Sequence, residues 1–132
     1  MKIPLPEFIT PLKLYEWLQD PTSDVVVVDV RDDDYIGGHI SKSLHYPSSK
    51  LSETFPQLTD KLLPRKKVVF HCLLSQQRGP TAAKRYLEQL GNNNPEQKVY
   101  ILAGGFSNWQ KEYGSDSTVT KNYHKALWTG FQ

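Results

Sequence analysis

The chain has 132 residues, a formal net charge of +2 and 23% charged residues, the composition of an ordinary soluble globular protein. So small and dispersed a positive charge argues against a nucleic-acid partner, no apolar run approaches a membrane span, and Met1 to Thr10 has neither the basic start nor the apolar centre of a signal peptide. A single cysteine excludes an internal disulfide and fits a reducing compartment, so a cytoplasmic location is expected, with the nucleus as a second.

Thr10-Pro11 reads as a helix N-cap and first helical position, and Leu14, Trp17 and Leu18 then share one face until Asp20-Pro21 ends the helix. Val25 to Val30 is apolar apart from Asp29, the pattern of a parallel strand covered on both faces. Asp32 to Tyr35 predicts a helical turn stopped by Gly37-Gly38, and Leu44 to Tyr46 a short strand. Ser52 to Leu63 predicts a helix whose bounds Pro56 blurs. Lys67 to His71 is β-branched and aromatic enough for a buried strand. A helix follows from about Gly79 to Leu90, with Pro80 in its first turn, Ala82, Ala83, Tyr86, Leu87 and Leu90 inward, and Gly91 beyond its end. Lys98 to Leu102 predicts another buried strand, and Gly104-Gly105 opens a helix carrying Phe106, Trp109 and Tyr113. Strands and helices alternate, which predicts an α/β fold with a central, mostly parallel sheet and helices on both faces. In the tail, Tyr123, Leu127, Trp128 and Phe131 suit docking on the core. Residues 1–132 thus read as one domain, with a core over about 10–113 and a tail, 114–132, packed on it.

The strand over 67–71 runs straight into Cys72-Leu73-Leu74-Ser75-Gln76-Gln77-Arg78-Gly79-Pro80. Cys72 therefore sits where a strand becomes a helix. A tight loop there aims backbone N–H groups inward, and the helix start adds partial positive charge. That geometry binds a tetrahedral anion and favours a thiolate nucleophile. Taken alone, a cysteine after a buried strand is a small apolar core residue. Arg78 alters the balance, because the loop from Cys72 to Gly79 holds no acidic residue to pair with it. A core position would leave its charge uncompensated at a cost of roughly several kcal/mol. Anion binding explains both residues: Cys72 as nucleophile, and Arg78 gripping two oxygens with its guanidinium fork. Leu73, Leu74, Ser75, Gln76, Gln77, Arg78 and Gly79 are then the substrate-binding loop. Ser75 bonds the anion or thiolate, or else merely satisfies the loop backbone.

Asp29, at the C-terminal end of its strand, invites a role as general acid, but hydrogen bonds from loop backbone or a pair with Arg31 are the simpler account. His39 and His71 read as hydrogen-bonded structural histidines. The four histidines lie far apart and no Cys/His pair has zinc spacing, so no metal or cofactor is expected. Gly104-Gly105 lacks a nucleotide-binding pattern and reads as a backbone turn. Asp32-Asp33-Asp34 fits helix-start electrostatics better than a metal site. Arg65-Lys66-Lys67 reads as a solubilising flank.

These motifs resemble a known family. Val28-Asp29-Val30-Arg31, Tyr35-Ile36-Gly37-Gly38-His39-Ile40, Phe70-His71-Cys72 with Arg78-Gly79-Pro80, and Leu102 to Trp109 match the single-domain rhodanese fold in order and spacing. The loop is longer than is typical of sulfurtransferases. It resembles the loop of the M-phase inducer (cell-division-cycle) dual-specificity phosphatases and of the small eukaryotic arsenate reductases, closest to the stand-alone fungal and plant members. Ser75 and Gly79 separate it from general tyrosine phosphatases, which usually have glycine and then serine or threonine there.

The resemblance implies a cysteine-dependent phosphatase with a phosphocysteine intermediate, acting on a phosphorylated protein or small oxyanion, as a monomer and without metal. Its alternative is arsenate reduction, for which one cysteine leaves glutathione and glutaredoxin to supply electrons. Thiosulfate sulfur transfer and a non-catalytic anion-binding module follow behind. Where M-phase phosphatases carry an acid just before the loop arginine, this chain has Gln77; where they carry a second, protective cysteine, it has Val30. Their C-terminal substrate-docking region has no evident counterpart in residues 114–132.

Overall fold

In the computed structural model, which describes residues 5–129, the elements run β1 (Glu7–Ile9), α1 (Pro11–Gln19), β2 (Val25–Asp29), β3 (His39–Ile40), β4 (Leu44–His45), α2 (Leu51–Leu62), β5 (Lys67–His71), α3 (Arg78–Leu90), β6 (Lys98–Leu102), α4 (Gly105–Tyr113) and β7 (Thr120–Lys121). Short 3-10 turns occupy Ser48–Lys50 and Lys125–Leu127. Five strands form one parallel sheet in the order β1-β6-β5-β2-β4, and β3 pairs antiparallel with β7 outside it.

Both faces of the sheet are covered, which explains the unbroken apolar strands. Val26, Val28, Val68, Phe70 and Ile101 point to one side and pack on Phe55, Leu58 and Leu62 of α2 and Ala83, Tyr86 and Leu90 of α3. The alternate residues Val27, Val69 and Leu102 point to the other, onto Leu14 of α1 and Phe106 and Trp109 of α4. Helix α1 starts as its sequence requires, with the Thr10 hydroxyl accepting from the Lys13 amide at 3.1 Å. Helix α2 runs through Pro56, because the carbonyl that loses its partner belongs to Ser52 on the exposed face.

Four features depart from the sequence reading. β1, β3 and β7 are too short to show a period, and all three went unpredicted. The Asp32–Tyr35 segment is one hydrogen-bonded turn, Tyr35 N to Asp32 O at 3.1 Å, and no helix starts on the acidic run. The basic cluster is no mere flank: Arg65 Nε donates to Asp24 Oδ1 at 2.6 Å and Lys67 Nζ to Ser23 O at 2.8 Å, clipping the start of β5 to that of β2. In the tail, Trp128 is buried, its indole N–H donating to Gly37 O at 3.0 Å, and Tyr123 donates to Gln110 at 2.6 Å, whereas Leu127 is 49% exposed. Phe131 lies outside the described residues.

Candidate active site

The chain leaves β2 toward β4 and leaves the adjacent β5 toward β6, on opposite sides. A crevice opens outside the carboxyl ends of strands where such a reversal occurs. Cys72 follows β5 directly at this place and continues its alternation, so its side chain joins the cluster under α2 and α3. The loop then curls around the sulfur. Ser75, buried and with φ +55°, points its N–H at Sγ from 3.2 Å, and the Gly79 N–H reaches Sγ from 3.3 Å. Cys72 N in turn faces Ser75 Oγ at 3.5 Å, so Ser75 serves the loop backbone.

Helix α3 begins at Arg78 after Gln77, which makes no side-chain cap, and has no acid in its first turn. Its orphan N–H at Gly79 is met by the cysteine sulfur instead. Space is tight at Gly79 as well, where a β-carbon would sit 3.2 Å from His71 Cα.

Arg78 finds its partners in the loop after β2. Nη1 donates to Asp34 Oδ1 at 2.9 Å and Asp32 Oδ2 at 3.2 Å, and Nη2 to Asp34 Oδ2 at 2.6 Å. The sequence argument that Arg78 lacks an acidic partner looked only within its own loop, and the fold corrects it. The Arg78 hydrogen bond holds the Asp34 carboxyl below its ordinary range and raises Arg78 in return. For Asp32, burial favours the neutral acid, but bonds from Ser48, Ser49 and Arg78 outweigh it and hold the carboxyl well below that range. Asp32 thus does sit at a helix start, the 3-10 turn at Ser48–Lys50, though not one of its own segment.

The same loop is held in shape by a wholly buried pair. Arg31 donates to Asp29 through Nε at 3.1 Å and Nη2 at 2.9 Å, and to Gly38 O at 2.8 Å, while Tyr35 and Phe106 lie against its guanidinium. Asp29 is therefore structural. Burial opposes its charge, but His71 and Arg31 beside it hold its carboxyl below the ordinary range. His71 is buried, with Nδ1 3.0 Å from the Cys72 carbonyl oxygen and Nε2 3.6 Å from Asp29. His39 is half-buried against Tyr35, and His45, which the sequence reading passed over, stacks on Tyr35 at 3.7 Å and meets Arg31 O at 2.6 Å.

Gly104-Gly105 is the backbone turn expected, with φ +76° and +60°, and it does more. The amides of Phe106 and Ser107 donate to the carbonyls of Cys72 and Leu73, both at 2.9 Å. A glycine pair at a helix start, without any capping side chain, was the available sign of such a close approach. The resulting cavity holds about 230 Å³ and is lined by Cys72, Leu73, Leu74, Gln76, Gln77 and Arg78. Ser75 and Gly79 do not line it and instead point their N–H groups at Sγ. A larger depression of about 480 Å³ between α2 and α3 is lined by Ser52, Arg85 and Glu88 and contains no cysteine. Among the described residues no group of three His, Cys, Asp or Glu side chains could hold a metal ion.

The sequence matches the family model Rhodanese-like domain over residues 10–112. The chain belongs to the rhodanese-like family. This rhodanese-like chain is 38% identical to the CDC25-like phosphatase YCH1 of Saccharomyces cerevisiae, covering 92% of itself and 93% of that protein. It is 35% identical to Arsenate reductase 2.2 of Oryza sativa, covering 78% of itself and 81% of the relative. Among solved structures, a yeast protein tyrosine phosphatase of the rhodanese family superposes with a TM-score of 0.88 at 38% identity, over 96% of this chain and 99% of that one. An As-Sb reductase from Leishmania major superposes at 0.74 and 32% identity, over 84% and 81%.

Proposed function

We propose that this chain is a cysteine-dependent phosphatase of the tyrosine or dual-specificity type. The observation that carries the reading is the Cys72 sulfur, which receives two backbone N–H groups at the floor of a cavity that Arg78 also lines. Cys72 as thiolate attacks phosphorus in line, the P–O bond to the leaving group breaks, and a phosphocysteine forms that water hydrolyses to phosphate. The loop N–H groups between Leu73 and Arg78 that are not on the sulfur, with the Arg78 guanidinium, stabilise the non-bridging oxygens as charge develops. The likeness to the yeast CDC25-like phosphatase over nearly the full length of both chains supports this choice. The substrate is a phosphorylated protein or a small oxyanion. No helix among the described residues is long and apolar enough to cross a membrane.

Arsenate reduction is a second reading, favoured by the likeness to the rice and Leishmania reductases. Arsenate has the shape and charge of phosphate, so the same loop receives it. Cys72 displaces water from arsenic to give a thiol–arsenate adduct. Glutathione then attacks the bound sulfur: arsenic takes two electrons and leaves as arsenite, and a Cys72–glutathione disulfide remains for glutaredoxin to reduce.

Three parallel assays of the purified protein decide between them: an aryl phosphate, arsenate with glutathione and glutaredoxin, and thiosulfate with cyanide. Turnover of the aryl phosphate that disappears in Cys72→Ser is expected. Turnover confined to arsenate would favour the second reading, and activity only with thiosulfate would overturn both.

A further inference from the structure

Arg78 does not stand open over the sulfur. Both of its terminal nitrogens end on carboxylate oxygens of Asp34, at 2.6 and 2.9 Å, so the fork suited to an oxyanion already grips one. The two carboxylates differ in what else they do. Asp32 also accepts from Ser48 Oγ at 2.6 Å and Ser49 N at 2.9 Å, and it reaches Arg78 only at 3.2 Å. Asp34 has, besides Arg78, two backbone amides, that of Asp32 at 2.9 Å and its own. Its side chain is 31% exposed, so a released carboxylate turns into water. The backbone beneath it need not move, because Arg31 holds the Asp34 and Ile36 carbonyls at 3.4 and 3.3 Å. One guanidinium facing two carboxylates also leaves a net negative charge where a doubly charged oxyanion must arrive.

We propose that Asp34 is the resting counter-ion of Arg78 and competes with the substrate oxyanion for it. Asp34 is a positioning residue: it holds the guanidinium at the mouth of the cavity in the free protein and gives it up when phosphate or arsenate binds. The inference rests on the reading of Arg78 as the oxyanion ligand.

The test measures binding of inorganic phosphate by calorimetry on the Cys72→Ser protein, where no chemistry intervenes. Asp34→Asn removes the competing charge and keeps an acceptor for the Asp32 amide. Asp33→Asn removes the same charge from an exposed neighbour that does not touch Arg78. Asp34→Asn is expected to bind phosphate about three- to tenfold more tightly, the exchange value of a partly exposed bidentate pair. Asp33→Asn should change binding less than about twofold, through screened long-range charge alone. In the Cys72 protein, Asp34→Asn should lower KM for an aryl phosphate by a similar factor. Asp34→Ala provides a second variant should Asn perturb the turn, with thermal melting to show that each is folded. Weaker binding in Asp34→Asn, or a gain no larger than that of Asp33→Asn, overturns the inference while the site reading stands. Absence of phosphate binding in every protein, Cys72→Ser included, overturns both.

Discussion

The amide of Phe106 donates to the carbonyl of Cys72 at 2.9 Å, so the first turn of α4 grips the loop from beneath. Two helix starts thus act on one loop with opposite polarity of task. Helix α4 satisfies its orphan N–H groups with loop carbonyls, which commits those carbonyls outward and leaves the loop amides to face the sulfur. Gly105 makes this approach possible. A β-carbon there would lie 2.5 Å from the carbonyl oxygens of both Cys72 and Leu73, on a backbone of φ +60°.

Gly105→Ala should therefore destabilise the protein by about 2–4 kcal/mol in urea denaturation and remove most turnover. Gly91→Ala is the comparison: its backbone, at φ +51° and ψ −121°, costs alanine about 1–3 kcal/mol, but a β-carbon there meets nothing within 4 Å, so turnover should survive. Equal losses in the two variants would show that the loop tolerates a retreat of α4.

If the phosphatase reading holds, the leaving group should receive little help at this site. Asp29 is locked on Arg31, the lowered carboxyls of Asp32 and Asp34 stay ionised at neutral pH, and Gln77 carries no proton of suitable acidity. General-acid assistance contributes about 10²–10⁴ to such a step. Across a series of substituted phenyl phosphates, kcat/KM should fall steeply as the phenol becomes less acidic. A flat dependence would mean that a proton donor serves the leaving oxygen after all.

Acid should weaken the fold through His71 before it reaches the carboxylates. Complete burial pushes the His71 imidazole below its ordinary 6.5, with Asp29 only partly opposing, and burial lowers His39 in the same direction. The unfolded chain then binds more protons than the folded one, so stability is full above pH 6.5 and falls as pH drops below it. Asp29, Asp32 and Asp34, with lowered carboxyls, lose their contribution only below the ordinary 3.8. The window between these values belongs to the histidines. Urea denaturation across it should give a slope that His71→Asn reduces by up to about 1.4 kcal/mol per pH unit. Unchanged slopes would place the proton uptake elsewhere.

Oxidation should be poorly reversible. Peroxide converts a thiolate to sulfenic acid, and a neighbouring cysteine can trap that state as a disulfide. Val30 fills the neighbouring place, buried in the same cluster as Cys72 and with its amide on the His71 carbonyl at 2.9 Å. Prolonged peroxide should take Cys72 to sulfinic acid, seen by mass spectrometry, with activity that later thiol does not restore. Val30→Cys should make the loss recoverable. Full recovery of the unaltered protein, with no sulfinic peptide, would show another protection at work.

What was legible in the sequence was whatever lies along one strand–loop–helix run. The apolar runs at 25–29, 67–71 and 98–102 announced buried parallel strands, and Cys72 to Gly79 announced a strand-to-helix loop, because periodicity and turn chemistry are local. The Asp34–Arg78 pair spans 44 residues and exists only because β2 and β5 are neighbours. No local pattern encodes that adjacency. The reading of Asp32 to Asp34 as acids at the start of their own helix failed for the same reason: Asp32 meets Arg78 and the serines at 48 and 49, and Asp34 meets Arg78, all on other elements.

Trp128 and strand β1 matter to any transplant of the Cys72 loop with its sheet. The family match ends at residues 10 and 112, yet Ile9 accepts from the Ala103 amide at 2.8 Å and so seats the turn that opens α4. At the other end, the indole of Trp128 lies 5.4 Å from the Phe106 ring, across the aromatic that covers Arg31. A graft limited to the matched residues would carry Cys72 into its new host and leave behind both braces of its floor.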